Sequence, residues 1–159
     1  MERKDIRIME NKICKADCDD LQEILQLQYL SYQSEAALFG TQDIPPLKQT
    51  LDEVSQEYQD GIILKMLDDA GRIIGSIRAK EDNGTVYIGK LMVHPQHRHH
   101  GYGIKLLEKI EQYFPNKRYE LFTSTRSIEN ITRYQKMGYK IFKCKVINSD
   151  LTFVYLEKL

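Results

Sequence analysis

The first apolar pattern along the chain predicts a strand followed by a helix. The strand is indicated by three isoleucines among charged residues, Ile6, Ile8 and Ile13. In residues 21–30 apolar side chains recur every three or four positions, which is typical of an amphipathic helix. The acidic segment 17–20 suits the start of this helix, because carboxylates accept hydrogen bonds from free N–H groups there.

A second, shorter helix and then three strands are predicted next. The helix follows Pro45 and Pro46, and Thr50 and Glu53 stand at capping-box spacing. Three runs rich in β-branched residues come after it, at 61–67, 73–79 and 85–93. Turns of Asp, Asn and Gly separate these runs, so we expect an antiparallel meander. The last run ends before Pro95, because proline cannot donate to a strand ladder.

The remaining pattern predicts a helix, a strand, a short helix and a closing hairpin. The first of these helices places its apolar residues on one face, Ile104, Leu107, Ile110 and Phe114. The later elements are predicted at 118–125, 127–137, 140–147 and 151–159, with the hairpin turn at 148–150. The element order is β-α-α-β-β-β-α-β-α-β-β without an internal repeat or linker. We therefore expect one α/β domain over residues 1–159.

Composition narrows the functional classes. The 23 basic and 23 acidic residues balance, so no overall positive field would attract nucleic acid. The three cysteines are an odd number and do not match paired metal-ligand spacing, so we expect reduced thiols in a cytoplasmic protein. No apolar run approaches the roughly 20 residues of a membrane-spanning helix. We expect neither a nucleic-acid partner nor a membrane partner.

Glycines at 101 and 103 stand where a predicted strand gives way to a predicted helix. Free N–H groups in a helix's first turn attract anions, and glycine lets the backbone approach a phosphate closely. The spacing alone is weak evidence, since two glycines also suit a simple turn. It is not GxxxxGK[ST], and a third glycine and a βαβ setting are missing, which argues against triphosphate and dinucleotide loops.

Residues 98–103 read Arg-His-His-Gly-Tyr-Gly and resemble the coenzyme A signature [RQ]-x-x-G-x-[GA] of the GNAT superfamily of acyl-CoA-dependent N-acyltransferases. The flanks also resemble the family, with Leu91, Val93 and Pro95 fitting L-x-V-x-P and an LL-containing helix after the loop. The resemblance implies a GNAT-like α/β fold of α+β type. Its mixed, mostly antiparallel sheet would have about seven strands and about four flanking helices, splayed at the acyl-CoA site.

The resemblance also implies acetyl-CoA as the acyl donor. Backbone groups on the splayed strand would bind pantetheine, while the glycine loop would bind pyrophosphate. The implied contacts are Leu91, Met92, Val93, Arg98, His99, His100, Gly101, Tyr102 and Gly103. His99 departs from many family members, which have glycine there. Side chains such as Leu91 and Val93 also suit simple core burial, since only their backbones need serve the donor.

Residues 130–139 resemble a second GNAT pattern, N-x-x-x-Y-x-x-x-G-[FY], through Asn130, Tyr134, Gly138 and Tyr139. The resemblance implies that Tyr134 is the general acid, because a neutral phenol with a pKa near ~10 can protonate a departing thiolate. It also implies that Asn130 contacts coenzyme A. The structural alternatives are a packed tyrosine and a first-turn asparagine that bonds the backbone.

The implied reaction is direct attack by a primary amine, of a small molecule or of a peptide or protein, in a ternary complex without an acyl-enzyme. Cys144 is therefore not predicted to be a nucleophile. The central strand contains no glutamate, so the general base stays open among Glu35, Glu81 and Asp82. Residues predicted to line the acceptor pocket are Tyr29, Tyr32 and Glu35, although one helix's core and solvent faces would also explain them.

Two other functional classes fit parts of the sequence. A noncatalytic acyl-CoA-binding sensor or subunit would use the same donor loop. Four histidines within seven residues, His94, His97, His99 and His100, could bind a transition metal. We expect no metal site, because no Cys or acidic ligand lies near them in sequence. A homodimer is left open.

Overall fold

The computed structural model describes residues 12–159, which form seven strands and six α-helical segments. The strands are β1 (Lys12–Lys15), β2 (Ile62–Leu67), β3 (Ile73–Asp82), β4 (Thr85–Val93), β5 (Arg118–Ser124), β6 (Lys140–Asn148) and β7 (Leu151–Lys158). The helices are α1 (Leu21–Ser31), α2 (Gln33–Phe39), α3 (Pro45–Lys48), α4 (Leu51–Asp60), α5 (Tyr102–Tyr113) and α6 (Ile128–Lys136). Short 3₁₀ turns lie at Cys18–Asp20 and Pro95–His97. The predicted mixed fold is confirmed.

The N-terminal helices differ in detail from the prediction. Ile6 and Ile8 of the predicted first strand lie outside the described residues, while Ile13 lies in β1. The two helices predicted before the meander are four segments, because the chain leaves helical geometry at Tyr32 and again before Pro45. The acidic segment caps the 3₁₀ turn that leads into α1, since Asp17 accepts the Asp19 N–H at 2.9 Å.

The sheet is splayed between β4 and β5. Its order is β1-β2-β3-β4-β5-β7-β6, and every neighbouring pair is antiparallel except β4 and β5. These two strands pair only along Thr85–Tyr87 and Arg118–Glu120, whereas β4 continues to Val93. The predicted splay is therefore confirmed. It leaves the second half of β4 without a neighbour on that side.

A β-bulge lies in the splayed half of β4. Ser76 pairs with Met92 and Arg78 pairs with Gly89, so Lys90 and Leu91 together oppose a single β3 residue. Lys90 has a φ of 51°, in the left-handed region that side chains rarely occupy. The bulge re-aims the side chains at the point where β4 leaves β5.

Apolar side chains pack on both faces of the sheet. On one face, α5 contributes Leu106, Leu107 and Ile110 to the larger core, and on the other α1 and α4 contribute residues such as Ile24 and Val54. Ile104 was expected in the core but is 38% exposed, because it borders an open groove of about 560 Å³ between α5 and α6. Among residues 12–159, no helix is both long and apolar enough to cross a membrane.

The capping box predicted at the start of α4 is present. The Thr50 hydroxyl accepts the Glu53 N–H at 3.2 Å, and the Glu53 carboxylate accepts the Thr50 N–H at 2.9 Å. Thr50→Ala should therefore lower the free energy of unfolding by about 1 kcal/mol. Urea denaturation measures this loss. Gln59→Ala, an exposed change in the same helix, should cause none, and an equal loss in both variants would contradict the cap's role.

Candidate active site

The glycine loop presents the uncapped N-terminus of α5. Gly101 precedes the helix with a φ of 78°, no side chain caps it, and its first turn holds no acidic residue. The Lys105 N–H bonds the Gly101 carbonyl at 3.2 Å, so the N–H groups of the three residues before Lys105 have no intrahelical acceptor. Such a terminus attracts an anion. A Cβ at Gly103 would lie 3.9 Å from the Leu91 Cδ2, so this glycine packs against β4.

Arg98 ties this loop to the junction of α1 and α2. Its Nη2 donates to the Ser31 carbonyl at 2.7 Å and its Nη1 to the Ser34 Oγ at 3.0 Å. Its Nε donates to the Val93 carbonyl at 3.3 Å. The guanidinium therefore joins the end of β4 to the helices across from it.

The histidines do not converge. His99 adopts a φ of 68°, and the His100 ring lies 5.5 Å from the Tyr102 ring. The His94 Nδ1 accepts the Gln96 N–H at 3.1 Å, and burial, together with neighbouring cations, lowers the pKa of His94. In the described part of the chain, no group of three or more His, Cys, Asp or Glu side chains is placed to hold a metal ion.

Tyr134 lies on α6 and is buried, with 7% of its surface exposed. Burial raises the pKa of its phenol to about 12, Arg133 opposes the rise and Glu35 adds to it. Its hydroxyl makes no hydrogen bond with any residue between 12 and 159. Arg78 Nε is the only buried side-chain nitrogen or oxygen in residues 12–159 without a partner, so the Tyr134 hydroxyl oxygen reaches the surface of the site, where its proton is available to a ligand.

Glu35 and Tyr32 lie near Tyr134. The Ser127 hydroxyl donates to the Glu35 Oε1 at 3.1 Å, and burial raises the pKa of this half-buried carboxyl. Burial also holds the pKa of Tyr32 far above its usual range, with Glu35 and Tyr134 adding to the effect. Two of the three predicted acceptor-site residues therefore share the surroundings of Tyr134. Ser127, which orients Glu35, was missed because a serine before a helix usually indicates only a cap.

The model of the Acetyltransferase (GNAT) family matches residues 19–139. The chain belongs to this family. The structure is similar to Escherichia coli ribosomal-protein-S18-alanine N-acetyltransferase, with a TM-score of 0.77, 11% identity and 94% and 93% of the two chains covered. It is also similar to the PaiA N-acetyltransferase of Thermoplasma acidophilum in complex with coenzyme A, with a TM-score of 0.76, 19% identity and coverages of 94% and 99%. These structural likenesses show the fold. No curated protein matches the sequence.

Other predicted site residues of this GNAT protein either form hydrogen bonds with nearby protein groups or lie far from the glycine loop. The Asn130 side-chain oxygen accepts from the Arg133 Nη1 at 3.1 Å, and the Tyr29 hydroxyl donates to the Gln49 carbonyl. The remaining base candidates, Glu81 and Asp82, lie at the opposite end of the sheet from the glycine loop. Cys144 is exposed on β6.

A buried polar network beside the GNAT site was missed by the sequence reasoning. Arg78, 4% exposed, donates to the Glu57 Oε1 at 3.0 Å and to the Gln28 Oε1 at 2.7 Å. Gln49 bridges the same groups, donating to the Glu57 Oε1 at 2.8 Å. The available signal was the placement of Arg78 and Lys90 within otherwise β-branched runs, because buried strands seldom carry charges without a partner.

Proposed function

We propose that this GNAT acetyltransferase moves the acetyl group of acetyl-CoA onto a primary amine by direct attack in a ternary complex. The observation that carries this proposal is the hydroxyl of Tyr134 on α6, which has no partner in residues 12–159 and shares its surroundings with the desolvated carboxyl of Glu35, bound by Ser127 at the start of the same helix. Such a pair provides a proton donor and a proton acceptor in one place.

The donor is proposed to lie along β4 and the N-terminus of α5. The segment of Leu91, Met92 and Val93 borders the gap beside β5. Its backbone groups point alternately towards β3 and into that gap, and those that point into the gap suit pantetheine, as an added strand would bind. The free N–H groups of loop 98–103 and α5 suit the pyrophosphate. For Arg98 we propose a backbone contact, since its side chain is bound to α1 and α2. Asn130 retains its amide N–H groups for a coenzyme A contact.

The chemistry needs three proton transfers, two from the nitrogen and one to the sulfur. A typical alkylammonium has a pKa near ~10 and must lose a proton before its nitrogen can attack the acetyl carbonyl carbon. We propose that the Glu35 carboxylate takes that proton. The C–N bond then forms, the C–S bond breaks, and Tyr134 protonates the departing thiolate. The nitrogen still carries one surplus proton, which the Tyr134 phenolate takes, so that a neutral amide and a free thiol result. No acyl-enzyme is needed, which agrees with the exposed position of Cys144 away from these residues.

A screen of primary amines with acetyl-CoA tests the proposal, with free thiol as the readout. An amine-dependent release of thiol supports a transferase. Tight coenzyme A binding, measured by calorimetry, with no thiol release across small amines and peptides would instead favour a noncatalytic acyl-CoA-binding sensor or subunit.

Gly101→Glu should raise the Kd for coenzyme A at least tenfold, because it places a carboxylate beside the proposed pyrophosphate site. A Cβ at this position meets no atom within 4 Å, so the side chain has room. Its φ of 78° strains any side chain, and Gly101→Gln therefore provides a control with the same strain but no charge. Calorimetry gives both constants. An unchanged Kd in folded Gly101→Glu would remove the loop from the proposed donor site.

A further inference from the structure

Lys90 presents a half-buried ammonium at the bulge of β4 without a partner in the described chain. Residues 12–159 contain eight side-chain ion pairs, and none includes Lys90. Burial lowers the pKa of Lys90, Glu57 and Glu53 oppose this shift, and Arg78 adds to it. These three groups are therefore the charged neighbours of the ammonium. Burying a cation without a partner is unfavourable, so its retention calls for an explanation.

Both neighbouring carboxylates are already bound to other groups. Glu57 accepts from Arg78 at 3.0 Å and from Gln49 at 2.8 Å. Glu53 is exposed and completes the capping box with Thr50. Arg78 is itself incompletely satisfied, because its buried Nε has no acceptor. Glu57, whose side chain is 35% exposed, thus forms its ion pair with Arg78, and Lys90 has none among residues 12–159.

The unpaired Lys90 lies beside the proposed donor and acceptor sites. Gln49 links Arg78 to a predicted acceptor-site residue, because its side chain accepts from Arg78 and its carbonyl accepts from the Tyr29 hydroxyl. Lys90 also belongs to the half of β4 that has left β5, immediately before the proposed pantetheine-binding residues. The proposed site therefore contains an ammonium, that of Lys90, as well as the carboxyl of Glu35.

We propose that the amine acceptor also carries a carboxylate, which the Lys90 ammonium binds. This inference rests on the proposed amine acetylation and adds the class of acceptor. An amino acid-like acceptor would place its ammonium at Glu35 and its carboxylate at Lys90, so each charge meets its opposite. Lys90 would act in binding and orientation and would take no part in proton transfer.

Matched acceptors test this charge recognition. A series of ω-amino carboxylates is compared with n-alkylamines of the same chain length, because amine basicity is similar in the two series once the carboxylate is several carbons away. The wild type should prefer the carboxylates by at least tenfold in kcat/KM at the best length. Lys90→Met should lower that preference at least tenfold, mainly through KM, because an ion-paired hydrogen bond is lost. Lys90→Arg should restore part of it, and the exposed Lys80→Met should keep it.

The outcomes separate this inference from the proposed function. Equal kcat/KM values for both series, or a preference that persists in Lys90→Met, would overturn the carboxylate site while amine acetylation stands. An equal loss of kcat for both series in Lys90→Met would also overturn it, since that result indicates proton transfer. If no amine releases thiol, the carboxylate site is tested by calorimetry instead, which compares the binding of 4-aminobutyrate and of butylamine to the coenzyme A-bound protein. Binding selective for 4-aminobutyrate and lost in Lys90→Met supports the site, and equal binding refutes it.

Discussion

Tyr134→Phe is expected to lower kcat about 10²-fold or more while leaving the Kd for acetyl-CoA nearly unchanged. The ring of Tyr134 packs in the core and the phenylalanine keeps that packing, so only the hydroxyl is lost. That hydroxyl has no partner in residues 12–159, so its removal leaves no protein group without a hydrogen bond that it had before. General acid catalysis typically contributes 10²–10⁴-fold. Single-turnover kinetics and calorimetry measure the two quantities.

A matched control comes from Tyr87, which is 45% exposed on β4 at the end that still pairs with β5. Tyr87→Phe removes a tyrosine hydroxyl far from the glycine loop and should leave kcat unchanged. With a pKa of about 12, the Tyr134 phenol stays protonated up to about pH 10, so wild-type kcat should show no fall from this group below that pH. Full kcat in Tyr134→Phe, with chemistry limiting the rate, would leave Tyr134 a packing residue.

Local patterns predicted the elements well because each one carries its own signal. The run 85–93 is bounded by an Asn-Gly turn and by Pro95, and β4 occupies the same residues. Gly138 has a φ of 98° after α6, as a helix end requires, and the next residue, Tyr139, is 1% exposed, although β6 after it is exposed along its whole length. The splay followed only from the family resemblance, since strand pairing depends on residues distant in sequence.

The acceptor side of the site depends on tertiary contacts that no spacing reveals. Glu35 and Ser127 are 92 positions apart yet form a hydrogen bond. The break at Tyr32 separates α1 from α2 without a proline or glycine, so the pattern predicted a continuous helix there. Ile104 fits the apolar stripe of α5 but lies at its first turn beside an open groove, where the stripe no longer meets the sheet.

Glu35→Gln is expected to lower kcat/KM about 10²-fold at neutral pH, because the amide cannot take a proton from the acceptor ammonium. The new side chain keeps an oxygen that can accept from Ser127, so the loop before α6 should stay in place. In the wild type, activity should rise with pH as Glu35 ionises, above the usual range for a carboxyl, since burial raises its pKa. This limb should disappear in the variant. Asp69→Asn, which removes an exposed turn carboxylate, should retain both the rate and the limb.

The same substitution should stabilise the fold at neutral pH. A carboxyl whose pKa is higher in the folded than in the unfolded state favours folding most below its unfolded pKa of about 4.3, and this contribution is lost as pH rises through the folded pKa. At pH 7 the wild type therefore carries a desolvated charge that the neutral amide of the variant would remove, so Tm should be higher for Glu35→Gln. The difference should vanish below about pH 4, where Glu35 is protonated in both the folded and the unfolded state. A variant that is less stable than wild type at pH 7 and fully active would show Glu35 to be a structural partner of Ser127, and the general base would have to be sought elsewhere.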